Sequence, residues 1–119
     1  MENIQLSNNL TTIGQEAFNG CTSLEKVVIP NSVTTIKGAA FLACSKLSDV
    51  TLSKNLLSLG GYAFGDCDSL ESIEIPKSVK DTTSEYYGQY IYDYQWGVFI
   101  ACDNLKNITF EKETTQIVY

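Results

Sequence analysis

The chain has 119 residues, 44% of them hydrophobic and 18% charged, with no histidine and a net charge of −6. That length suits one domain, and the balance of apolar to charged residues argues against disorder. No stretch approaches the roughly 20 apolar residues of a membrane span, and the acidic balance disfavours nucleic acid and anionic membrane as partners.

In chain order, Ile4 and Leu6 open an alternating stretch that reads as a short half-buried strand. Leu10 and Ile13 form a second apolar pair beside Gly14, a residue suited to a tight corner. The segment from Ala17 to Leu24 is too short for a full α-helix and is expected to return the chain as a helical turn or 3₁₀ piece. The same succession then repeats. Its strands carry the inward pairs Val27/Ile29, Val50/Leu52, Ile73/Ile75 and Ile108/Phe110, with Pro30 and Pro76 closing two of them on the outward side. Its second pairs are Val33/Ile36 and Leu56/Leu59, beside Gly38 and Gly60. Its return segments carry Phe18, Phe41, Phe64 and Phe99, then Cys21, Cys44, Cys67 and Cys102, then Leu24, Leu47, Leu70 and Leu105. Successive phenylalanines lie 23, 23 and 35 residues apart, so a single unit carries a 12-residue insertion, within 80–97.

A fixed period in the twenties marks a solenoid, because no single unit buries its own apolar face and each needs neighbours above and below. The expected fold is a repeat solenoid with short parallel strands on one face and turns or 3₁₀ pieces on the other, in about 4.5 coils of 23 residues. The units are 1–23, 24–46, 47–69, 70–104 and a partial 105–119. Met1 falls in the slot of Leu24 and Ile117 in that of Ile13, and neither end shows a polar cap, which predicts an excerpt from a longer array. Met1-Glu2-Asn3 has none of the features of a signal peptide.

The pattern Ile-x-Ile-Pro-x-Ser-Val-x-x-Ile-x-x-x-Ala-x-Phe-x-x-Cys-x-x-Leu resembles the BspA-type leucine-rich repeat over nearly the whole chain. It departs from that pattern at the insertion and at the tail from Glu113 to Tyr119. The resemblance implies a leucine-rich repeat fold with a concave sheet face, in a bacterial surface or secreted protein that adheres to host or matrix proteins.

Four cysteines in one slot of successive coils place parallel side chains about 4.8 Å apart. That distance admits a disulfide, but parallel Cβ vectors oppose the required dihedral, so a buried thiol ladder acting as apolar filler is expected. Without histidine or a Cys-x-x-Cys pair, no metal site and no cofactor is expected. The missing histidine also removes Ser-His and Cys-His nucleophile pairs, and Asp66/Asp68 and Glu71/Glu74 read as solvated acids, so no catalysis is expected.

Two surfaces remain for binding. The outward columns of the strand face include Lys26, Asp49 and Ser72 in one row and Val28, Thr51 and Glu74 in the next. The insertion is the second, with Tyr86, Tyr87, Tyr90, Tyr92 and Trp96 as candidate contacts. From Tyr90 to Trp96 aromatics fall on alternate residues, which in an extended strand puts them on one face with large contact area and polar tips. Such rings suit a protein or glycan partner, or pack back on the solenoid. The expected function is a non-catalytic, adhesion-type module binding protein or glycan, with a passive structural spacer in a larger protein as the alternative. Self-association through open solenoid ends is a further expected contact.

Overall fold

The computed structural model describes residues 3–79 and 97–111. The aromatic candidates Tyr86, Tyr87, Tyr90, Tyr92 and Trp96 lie outside the described residues.

Among the described residues seven short strands occur in order: β1 (Thr12–Ile13), β2 (Lys26–Val28), β3 (Thr35–Ile36), β4 (Asp49–Thr51), β5 (Ser58–Leu59), β6 (Ser72–Ile75) and β7 (Asn107–Phe110). All pairings are parallel, and within each of the first three coils the register advances by the repeat length: Thr12 faces Thr35, which faces Ser58, and Lys26 faces Asp49. Ser72 faces Asn107 across the insertion, so the chain resumes its register after the longer unit. Strands β2, β4, β6 and β7 form the expected strand face. The second apolar pair of each coil also yields a strand, and β1, β3 and β5 make a three-stranded ladder that the sequence pattern did not reveal as a sheet.

Between these two strand columns lies one continuous core. Leu24, Val33, Ile36, Phe41, Cys44, Leu47, Leu56, Leu59, Phe64, Cys67 and Leu70 are fully buried, as the repeat predicts. The phenylalanines stack into a spine: Phe18 to Phe41 and Phe41 to Phe64 are each 5.1 Å between ring centroids, and Phe64 to Phe99 is 6.0 Å. Phe110 departs from its expected inward role and is 51% exposed. Pro76 is buried and Pro30 partly so, contrary to their expected outward position, and Ser53 in the same slot is buried with its hydroxyl donating to the Val33 carbonyl at 2.7 Å.

The return segments are hydrogen-bonded turns. Alternate amides bond in alternate directions: Ala17, Asn19 and Cys21 donate to carbonyls three residues back, whereas Glu16, Phe18 and Gly20 donate to Gly38, Ala40 and Leu42 of the next coil. Phe41 and Phe64 repeat this link, at 2.7 Å to Ala63 and 2.9 Å to Val98. The zigzag needs left-handed residues two places either side of the phenylalanine. These are Glu16, Ala39 and Tyr62 before it, and Gly20, Ala43, Asp66 and Ala101 after it. Only one of these seven is glycine. The corner glycines have a different reason: a Cβ on Gly60 would sit 2.5 Å from the Gly38 nitrogen, so Gly60 permits close stacking of coils rather than an unusual φ.

Candidate functional site

The strand face is built by alternation. In β2 and β6 the inward residues Val27, Ile73 and Ile75 are buried, which forces Lys26, Val28, Ser72 and Glu74 outward. Asp49 and Thr51 of β4 are likewise exposed. Lys26 therefore stands beside Asp49 and Val28 beside Thr51, at the spacing of directly paired strands. The six predicted face residues share one surface, but it is not one sheet.

No ladder joins β4 to β6. The residue that closes each strand differs between the paired and unpaired levels. Between β6 and β7 the closing residue Glu111 donates its N–H to the Ile75 carbonyl at 2.8 Å. In the preceding coil the corresponding residue is Pro76, which has no N–H to give to Leu52. Pro30 occupies this slot two coils before Pro76, and there the strand meets its predecessor only in the single bridge Asn3–Lys26. Coils whose strand ends in Ser53 or Glu111 instead pair with the coil before them over three and four residues. Prolines thus stand at the levels where the face divides into two-stranded blocks.

At the division lies a hollow of about 120 Å³. Val50, Leu52 and Pro76 give it apolar walls, and Lys54, Glu74 and Glu111 line it with charge. Glu111 is held in place, its carboxylate accepting the Lys77 N–H at 3.0 Å. Sequence reasoning placed Glu74, Pro76 and Glu111 in the outward columns of the strand face and did not name Lys54; the order Pro30, Ser53, Pro76, Glu111 in one slot was legible, but not the hollow beside it.

The cysteines form a ladder with free thiols, and Cys44, Cys67 and Cys102 each donate to the preceding coil. Cys44 reaches the Phe18 carbonyl at 3.2 Å, Cys67 that of Phe41 at 3.3 Å, and Cys102 that of Phe64 at 2.9 Å. They are hydrogen-bond donors as well as apolar filler. Burial pushes the Cys44 thiol up to about 11, and Cys67 is raised by its hydrogen bond with Cys102 and by burial. Thiols so held stay protonated near neutral pH and make poor nucleophiles. Asp66 is raised by partial loss of hydration and by the neighbouring Asp68 and Asp103. Among the described residues no group of side chains is suited to hold a metal ion, and no helix is long and apolar enough to cross a membrane.

Stacked 23-residue coils, columns of short parallel strands and a phenylalanine spine define a leucine-rich repeat solenoid. The chain belongs to the BspA type leucine rich repeat family, whose model matches residues 1–119 as six copies. No curated protein matches it. Among solved structures it is similar to a leucine rich cell surface protein from Faecalibacterium prausnitzii, with 23% identity and a TM-score of 0.72 over 96% of this chain. It is also similar to a leucine-rich repeat protein from Bacteroides capillosus, with 34% identity and a TM-score of 0.68 over 87% of this chain. A third is the leucine rich repeat protein of T. pallidum, with 24% identity and a TM-score of 0.55 over 84% of this chain. The chain spans 33%, 64% and 63% of the lengths of these three.

Proposed function

We propose that this chain is a non-catalytic, adhesion-type binding module of a bacterial surface or secreted protein, recognising another protein through its strand face. One observation carries the reading: Lys26, Asp49 and Ser72, with Val28, Thr51 and Glu74, are exposed side by side on short strands whose backs are locked in the core. Mixed charge, hydroxyls and one exposed valine on a rigid backbone supply polar specificity with little ordering cost on binding. Family membership supports a protein-binding role, and the cell-surface description of the F. prausnitzii structure supports the location.

Five strand levels at about 4.8 Å spacing offer a few hundred Å², below the ~800 Å² per partner of a standard interface. This chain alone therefore binds weakly, and additional coils raise the affinity. The aromatic residues Tyr86, Tyr87, Tyr90, Tyr92 and Trp96 are proposed as a second contact for protein or glycan, on their sequence pattern. The test immobilises the chain and measures binding to a panel of purified matrix proteins. The wild type is compared with the charge reversals Lys26→Glu and Asp49→Lys, and with a triple alanine variant at Tyr90, Tyr92 and Trp96. Loss of binding in the reversals supports the strand face. Binding unchanged in every variant contradicts both contacts.

A further inference from the structure

The divided sheet suggests what the strand face recognises, and the inference rests on the proposed protein-binding function. We propose that the hollow between β4 and β6 is a receptor for an arginine side chain of a protein partner.

Three observations converge. First, β4 pairs only with β2, and β6 only with β7, so the carbonyls and amides that these strands turn toward each other have no ladder partners. Second, the gap they leave is about 120 Å³, room for a side-chain terminus rather than a whole strand. Third, its lining joins apolar Val50, Leu52 and Pro76 with two glutamates and one lysine, a net charge of −1 (−2 + 1). A hollow that joins apolar walls with two carboxylates calls for a cation rich in donors on an apolar stem. Guanidinium provides five N–H donors in a plane, pairs with carboxylate through two parallel bonds, and is less strongly hydrated than ammonium. Its methylene stem suits the apolar walls. Lys54 at the rim disfavours a second cation, so one arginine enters.

The experiment titrates the ¹⁵N-labelled 119-residue chain with capped Gly-Gly-Arg-Gly-Gly and follows amide shifts. The citrulline peptide, isosteric but uncharged, and the lysine peptide are comparators. Saturable shifts are expected at Val50 to Leu52 and Ser72 to Glu74, with affinity lower by at least about tenfold for citrulline and by a smaller factor for lysine. Glu74→Gln and Glu111→Gln each weaken the response, the latter keeping an oxygen to accept the Lys77 N–H. Pro76→Ser restores an N–H in the slot, closes the slit and abolishes the response; if that variant loses its dispersed spectrum, the two glutamine variants decide. Equal response to citrulline, insensitivity to both glutamine variants, or shifts spread over all acidic residues overturns the proposal. Matrix-protein binding lost on charge reversal at Lys26 and Asp49, with no arginine response, overturns this inference alone and leaves the proposed function standing. A specific arginine response with no protein partner does the reverse.

Discussion

Truncating the centre of the phenylalanine spine should cost far more than truncating its first member. Phe41 is fully buried and stacked on both sides, 5.1 Å from Phe18 and 5.1 Å from Phe64, whereas Phe18 is only partly buried and has one ring neighbour. A buried Phe→Ala change costs ~3–5 kcal/mol through lost transfer energy and its cavity, and each stacked pair adds ~0.5–1.5 kcal/mol. Two lost stacks put Phe41→Ala near the upper part of that range, about 4–5 kcal/mol, and partial exposure with one lost stack puts Phe18→Ala near ~2 kcal/mol. At a typical unfolding entropy for this chain length, those losses lower Tm by roughly 16–20 °C and 8 °C. Urea titration and thermal melting followed by far-ultraviolet circular dichroism measure both. Equal losses at the two positions would refute the reasoning, because they would mean that Phe18 is enclosed as completely as Phe41.

Gly60→Ala should destabilise by ~1–3 kcal/mol or more in the same titration, since its Cβ meets backbone of Lys37 and Gly38, which cannot rotate away. Ala43→Gly should act oppositely and raise stability by up to ~1 kcal/mol: relief of the left-handed strain at φ 63° outweighs the added freedom of the unfolded chain. Stability should fall as pH rises from about 9 to about 11, because the Cys44 thiol is held protonated in the fold up to about 11 while the unfolded chain releases that proton near 9.0. The advantage is complete below pH 9, and in Cys44→Ser the corresponding part of the pH slope should vanish. A thiol count on unfolded, unreduced protein should return four, the number of free cysteines.

Much of this fold was legible because repetition multiplies a weak signal. A single Phe-x-x-Cys-x-x-Leu says little, but four in register place Phe41, Cys44 and Leu47 in the core before any coordinates, and the spacing from Phe64 to Phe99 locates the insertion. The strand face was equally readable, since Val27 and Ile73 alternate with Lys26 and Glu74. What escaped was set by backbone rather than by side-chain polarity. Glu16, Tyr62 and Asp66 adopt left-handed φ without the glycine that normally advertises it, because each is held there by bonds to the next coil. Gly60 was read as a corner, but its cause is a contact 22 residues away with Gly38, which local sequence does not display. Pro76 was read as a strand terminator; that it also leaves Leu52 without a donor follows only once the two coils are stacked.

Amide hydrogen exchange on the native chain tests the central claim most directly: coils locked together through their return segments carry a strand face divided between β4 and β6. The amides of Phe18, Phe41 and Phe64, each bonded to the next coil, should exchange only on global unfolding. Asp49 and Asn107, bonded to Glu25 and Glu71 carbonyls, should be protected, while Ser72 and Glu74, whose amides turn toward the gap, should exchange orders of magnitude faster. Protection at Ser72 and Glu74 equal to that at Asn107 would show an unbroken sheet, and would contradict both the division and the site placed in it.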